Sequence, residues 1–309
     1  MRNLILNSSN IVAGTNNSYF EYKFPAGSVN LVNTQKVALS SLTMYYSTPN
    51  ITAANGNNQF NYVWVDGTMN TVVFPDGFYD IVAIQNYLQF VMLQNNHYLK
   101  STSGTYIFFL TLTANPNAYA IEMNCFGMDV ALATSNGWSL PDTATWEIPV
   151  HFIVPMFQIL NNNFQYIIGY NAGYYPQGQP TLAIAAITGT PPNQIQTPTY
   201  TTNQTYLSSF TPQITPLSSY IITCSLINNN YSIPNTLLSS FQPQGTYGSQ
   251  FTVAPNQLVF IDCQAGQYDR FLITLTDQNN QPVTILDPNV VILIAITDPN
   301  ENISSFKGQ

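Results

Sequence analysis

Two histidines, His97 and His151, are the only imidazoles in this 309-residue chain. A histidine-rich metal site is therefore excluded, and each ring could act at most as a lone general base. His97 stands where a helix should end, a place where the helix dipole favours a cation. His151 follows Pro149 in an apolar run and reads as a core or interface histidine. Paired carboxylates held roughly 5–9 Å apart can hydrolyse glycosides, and the candidate pairs are Asp76 with Asp80 and Asp262 with Asp269. Asp76 precedes Gly77 in a turn, Asp80 stands at a helix start, and Asp262 and Asp269 flank a turn at Gly266. Turn and cap roles thus account for all four. The run Asp298-Pro299-Asn300-Glu301 carries hard oxygens but lacks the ligand count and spaced loop of a calcium site. The sequence contains no G-x-S-x-G elbow, phosphate loop, dinucleotide fingerprint or H-E-x-x-H helix. The expectation is no catalytic residue, no cofactor-binding residue and no metal ligand, hence not an enzyme.

Aromatic residues offer a different chemistry. Tyr45, Tyr46, Trp64, Trp138, Trp146, Tyr174 and Tyr175 could stack on sugars, the reading of a carbohydrate-binding β-sandwich used in attachment. Strand alternation would instead turn many of them into a core, and aromatics are also enriched at protein interfaces. Sequence leaves these alternatives open.

The elements that must carry these residues are mostly strands. Period-two or apolar runs occur at 19–24, 36–46, 59–65, 71–74, 106–112, 119–123, 151–154, 219–226, 258–262, 271–276 and 290–296, with Asp66-Gly67 as a hairpin signal. Two helices interrupt them. Asp80 can cap a segment ending near Gln94-Asn95, whose Ile81, Ile84, Leu88 and Val91 share a face. A shorter helix over 164–168 starts after Asn161 to Asn163 and stops at Gly169. Asp-Pro-Asn occurs at 287–289 and 298–300 and marks strand limits. The fold class expected is all-β: an antiparallel jelly-roll β-sandwich with one or two short helices and long loops, the 81–94 helix packed across it. It reads as a single elaborated domain over 1–309, with the Gly/Pro/Gln/Thr-rich stretch 171–216 a long loop or small insertion.

Composition says what such a sandwich would do. Charged residues make up 6% of the chain and hydrophobics 45%, with a net charge of −8. Soluble domains carry roughly 25% charged residues, so much of this surface reads as covered by neighbours, the pattern of an assembly subunit. Arg2, Lys23, Lys36, Lys100, Arg270 and Lys307 are isolated from one another, which excludes the cation cluster that direct nucleic-acid binding needs. The longest clean apolar run, 290–296, is far short of the roughly 20 residues of a bilayer span, so no membrane insertion is expected. The apolar stretch Leu4-Ile5-Leu6 is too short for a signal peptide. Cys125, Cys224 and Cys263 are odd in number and widely spaced, so they are expected as reduced thiols. Sequons such as Asn50-Ile51-Thr52 then read as chance.

Several segments in order resemble the penton, or minor capsid, proteins of Mavirus-like virophages and Polinton/Maverick elements. They are Arg2 to Asn10, Pro75-Asp76-Gly77-Phe78-Tyr79 with Asn86-Tyr87-Leu88-Gln89, Asn163 to Pro176, Phe271 to Asn279, and Asp287 to Ile294. The resemblance implies a jelly roll that forms a homopentamer at the fivefold vertices of an icosahedral capsid. It also implies a neighbouring double jelly-roll major capsid protein as partner and a location in the virion, after synthesis in the host cytoplasm. Gly178 to Pro216 has no counterpart in that resemblance.

Overall fold

The computed structural model describes residues 1–177, 181–185 and 193–298. Up to Pro49 the chain forms β1 (Arg2–Leu6), β2 (Tyr19–Lys23), β3 (Val29–Leu31) and β4 (Lys36–Tyr45). Between Asn50 and Pro216 come β5 (Gln59–Val63), β6 (Met69–Val73), α1 (Ile81–Gln94), β7 (Leu99–Lys100), β8 (Tyr106–Ile107), β9 (Leu110–Asn115) and β10 (Ala120–Cys125). The same stretch continues with α2 (Val130–Asn136), β11 (Met156–Ile159), α3 (Phe164–Ile168), β12 (Gly173–Tyr175), β13 (Thr181–Ala185), β14 (Asn193–Thr197) and β15 (Gln204–Leu207). After Leu217 follow β16 (Tyr220–Cys224), β17 (Leu237–Phe241), β18 (Gln250–Val253), β19 (Ile261–Asp262), β20 (Gly266–Tyr268), β21 (Arg270–Thr276) and β22 (Val291–Ile296).

These elements pack as two compact units, one made of Met1–Pro49 with Leu217–Gln309 and the other of Asn50–Pro216. The sequence reading of 1–309 as one elaborated domain with 171–216 as a long loop or small insertion remains an expectation; the packing groups its residues into these two units. Within 171–216, β12 pairs with β11 and β15 pairs with β10, so this stretch supplies strands as well as loop. Residues 178–180 and 186–192 lie outside the described residues.

The first unit is a jelly roll by its pairing. One sheet runs β1-β22-β4-β18 and the other β17-β16-β21-β2, all antiparallel. The pairs β1 with β22, β2 with β21, β4 with β18 and β16 with β17 nest from the outermost strands inward. That is the pattern of a long antiparallel ribbon rolled into two sheets. Alternation then sorts the side chains: in β21 Phe271, Ile273 and Leu275 are buried, whereas Arg270 and Leu272 are exposed. Phe20, Leu42, Ile222 and Ile292 fill the space between the sheets with no exposed surface.

The second unit has its own aromatic core, around Phe60, Tyr62, Trp64, Phe74, Phe157 and Phe164. Helix α1 belongs here and packs against β9, not across the jelly roll as its apolar face suggested. Asp80 caps it by accepting the Ala83 amide at 2.7 Å, and Ile84, Leu88 and Met92 are its buried residues. Ile81 and Val91 are half-buried, so the buried stripe lies slightly round the helix from the one expected. Helix α3 ends at Gly169 as expected, with φ 77°. A Cβ there would meet the Phe210 carbonyl oxygen at 2.3 Å, so glycine is needed for space as well as for backbone conformation.

Asn50 joins the beginning of this unit to its end. Its side-chain amide donates to the Tyr79 carbonyl at 2.8 Å and the Ile214 carbonyl at 2.6 Å, and its Oδ1 accepts the Tyr79 amide at 2.8 Å. The residue is 3% exposed, so the sequon at Asn50 is buried and its nitrogen fully engaged. Replacing Asn50 with Ala strands three backbone groups inside the protein, at roughly 1–3 kcal/mol for each group left unsatisfied. Chemical denaturation of Asn50→Ala should therefore show a loss of at least roughly 2 kcal/mol, against no more than about 0.5 kcal/mol for the exposed Asn55→Ala.

Candidate functional site

The candidate chemical groups are dispersed and already employed. Asp76 accepts the Ala53 amide at 2.7 Å and Asp80 caps α1, as the sequence suggested. Asp262 pairs with Lys36 at 2.8 Å, and Asp269 pairs with Arg270 at 3.1 Å. Gly266 lies at the start of β20 rather than in a turn between the two acids. Asp298 is held by the N-terminal ammonium at 2.8 Å and by Arg2 at 3.0 Å, while the rest of its Asp-Pro-Asn-Glu run lies outside the described residues. Among the described residues, no three His, Cys, Asp or Glu side chains come together as a metal site would require.

The histidines exchange the roles expected of them. His97 follows the α1 end but is buried, 6% exposed, with its ring stacked on Trp64 at 4.8 Å and 13°. Its Nδ1 lies 2.8 Å from the Tyr62 hydroxyl, which also accepts from Asn95 at 2.9 Å. The hydroxyl proton is then free for Nδ1, and this assignment makes His97 the neutral Nε2–H tautomer. Burial lowers its pKa to about 4, opposed in part by the Asp66 carboxylate, so desolvation outweighs the helix dipole that would favour a cation. His151 is exposed, not a core residue.

The sugar-platform aromatics are withdrawn from solvent. Trp64, Trp146, Tyr46 and Tyr175 are buried, and Tyr45, Trp138 and Tyr174 are half-buried. Trp146 donates its indole N–H to the Asn96 carbonyl at 2.7 Å and meets Trp64 edge to face at 5.1 Å. None of the seven stands as an open platform. Tyr170 is the hub of the neighbouring cluster: its hydroxyl lies 2.8 Å from the Ile121 carbonyl and 2.6 Å from the Tyr206 carbonyl, and its ring meets Tyr175 at 5.0 Å.

The cysteines are free and buried, as their number suggested. Burial pushes the Cys224 thiol up to about 12 and Cys263 up to about 11, and raises Cys125 as well. Such thiols are protonated and inert at neutral pH.

What remains accessible is surface rather than a catalytic centre. Arg2, Lys23, Lys36, Lys100 and Arg270, the Lys and Arg side chains of the described residues, each sit in an ion pair within the chain. Beside the edge strand β2 lies a depression of about 450 Å³ whose walls include Ile11, Val12, Tyr22 and Pro25, with Glu21 at its side. Across the same sheet, the loop from β16 to β17 exposes Tyr231 completely and Ile233 to 96%. The sequence reading passed over this loop, because Asn228-Asn229-Asn230 and Ile233-Pro234 signal only a turn. A tyrosine and an isoleucine at the tip of a turn were the overlooked signal.

Fold and surface together describe an all-β protein of two units, one a jelly roll, whose candidate groups are used for structure. No family model and no curated protein matches the chain. Among solved structures it is similar to the crystal structure of the mavirus penton protein, at 11% identity and TM-score 0.41, over 96% of this chain and 97% of that one. It is also similar to the structure of the Sputnik virophage determined by electron cryo-microscopy, at 13% identity and TM-score 0.35, again over 96% and 97%. The sequence segments singled out above fall in β1, β21 and β22 of the jelly roll and, in the second unit, in the turn before α1, in α1 itself, and in α3 and β12.

Two measurements follow from the titrating groups. An unfolded histidine has a pKa near 6.5, above the folded value, so His97 contributes stability at neutral pH that is lost as pH falls from about 6.5 towards 4. The whole contribution is on the order of 3 kcal/mol, and His97→Gln should flatten the pH dependence of the denaturation midpoint over that window. Thiol titration at pH 8 should find the native protein largely unreactive and the denatured chain with three accessible thiols; a disulfide recovered from the native protein would contradict both the burial and the pairing.

Proposed function

We propose that this chain is a penton subunit: five copies form a ring at the fivefold vertices of an icosahedral, virophage-type capsid, beside a separate double jelly-roll major capsid protein. The observation that carries the reading is a jelly roll closed by its outermost strands whose surface cations are already neutralised within the chain. Such a surface presents hydroxyls, amides and apolar side chains to a neighbour, together with a few carboxylates such as Asp277 and Asp287 but no free cation among the described residues. Hydroxyls and amides exchange water for cross-subunit hydrogen bonds at little net cost, whereas a buried unpaired charge costs several kcal/mol. The protein acts as structure rather than catalyst, and its place is the virion, after synthesis in the host cytoplasm. The sequence resemblance to virophage pentons supports the same reading. A sugar-binding role has no comparable support, because the aromatics that would form its platform are buried or half-buried.

Sedimentation equilibrium and native mass spectrometry should find a species of five copies that grows with concentration. Association should change by less than about threefold between roughly 0.05 and 1 M salt, although the screening length shrinks to about 3 Å. A chain that stays monomeric at every concentration, or that pairs as a twofold dimer, would overturn the ring.

A further inference from the structure

The 228–236 loop is built to hold its tip outward. The Asn229 amide donates to the Asn235 carbonyl at 2.6 Å, the Tyr231 amide to Asn229 Oδ1 at 3.1 Å, the Ser232 hydroxyl to the Pro234 carbonyl at 2.9 Å, and the Asn235 side chain to Asn228 Oδ1 at 3.1 Å. These bonds brace the backbone on both sides of Tyr231 and Ile233. The two residues are thus presented with little ordering left to be paid on contact. Nothing in the loop is charged. A membrane surface is a poor match, since interfacial segments combine apolar residues with Lys or Arg. A socket in a protein is the better match, because a rigid tyrosine is a frequent anchor of protein interfaces.

The same unit carries a depression at the other edge of the sheet from which the loop projects. The β17-β16-β21-β2 sheet places the loop at one edge and the depression at the other. β16 ends at Cys224, which pairs with Ile273, and Ile273 pairs with Phe20 beside Glu21. The root of the loop and the depression therefore belong to opposite edges of one sheet, with β16 two strand spacings from β2, so neither surface occupies the other's edge. Tyr22 is the aromatic residue of the depression's wall, and its ring is steadied by Phe271 at 5.3 Å and Phe24 at 5.5 Å, while Ser9 and Asn10 add polar groups to the lining. Glu21, paired with Lys23 and Arg270, keeps acceptor capacity for a phenol.

We infer that Tyr231 and Ile233 of one copy dock into the Ile11, Val12, Tyr22 and Pro25 depression of the next copy of this chain. The contact joins two different surfaces, so it is heterologous, the kind of contact that a closed ring of copies requires. The inference rests on the ring reading and adds the residues that make the joint.

The test uses two variants of the full chain, the knobless Tyr231→Ala with Ile233→Ala and the socket-blocked Val12→Glu. Analytical ultracentrifugation should show each associating at least a hundredfold more weakly than the native chain, with the melting temperature of the knobless variant unchanged because both side chains project into solvent. An equimolar mixture should then form a one-to-one pair, since the socket-blocked copy still offers its knob and the knobless copy its socket. Rings of native strength from the knobless variant, or a mixture that remains monomeric, would overturn this joint while leaving the ring reading in place. A native chain that never associates would overturn both.

Discussion

The pairing of β4 with β22 is the constraint on which the jelly roll hangs. It joins residues 37–43 to residues 291–296 across almost the whole chain, and β4 also carries β18 and β19 on its other side. With β22 on one side of β4 and β18 and β19 on the other, β1 adds outside β22, and β17, β16, β21 and β2 make the opposite sheet. A shift of one residue would turn Ile292 and Ile294 out of the core, so the apolar alternation and the nested order enforce each other.

Polar satisfaction without charge is the second theme. Buried positions are served by amides and hydroxyls: Asn50 and Asn57 tie turns together, and Asn57 donates to the Asn50 carbonyl at 2.8 Å while accepting the Thr52 amide at 2.8 Å. Asn95, Tyr62 and His97 form a neutral chain in the second unit. Neutral partners avoid the desolvation cost of buried ions and gain a hydrogen bond each. The Lys and Arg side chains of the described residues are each held in an ion pair, so the cores rely on neutral groups, with Asn61 Oδ1, Trp64 Nε1, Gln85 Nε2 and Thr276 Oγ1 left buried without a partner.

Local signals were legible where they were complete. α1 shows its period and its Asp80 cap, α3 its Gly169 stop, and β21 and β22 their apolar runs, each within a residue or two of the observed bounds. α2 was missed although Asp129 and Gly137 bracket it, because seven residues are too few to establish a helical period. β17 and β18 were missed because strands of five and four residues with polar outer faces look like loop. The expected strand over 151–154 is mostly extended chain with one bridge at Ile153, and the strand proper begins at Met156. The division into two units left no local mark, since it depends on β4 finding partners more than 200 residues away. Burial of Trp64 and exposure of Tyr231 likewise depend on tertiary packing, which strand alternation alone does not decide.

The insertion of the second unit between β4 and β16 has a consequence for the order of events during synthesis. Residues 50–216 are complete, with their core and the Asn50 clasp, before the first strand of the returning half is made. The jelly roll must wait for β22, and until then β4 presents an open edge to other chains. A chain arranged in this way completes its first unit only at the end of its manufacture, so that a truncated chain is left with an unpaired β4 edge whatever the state of its second unit.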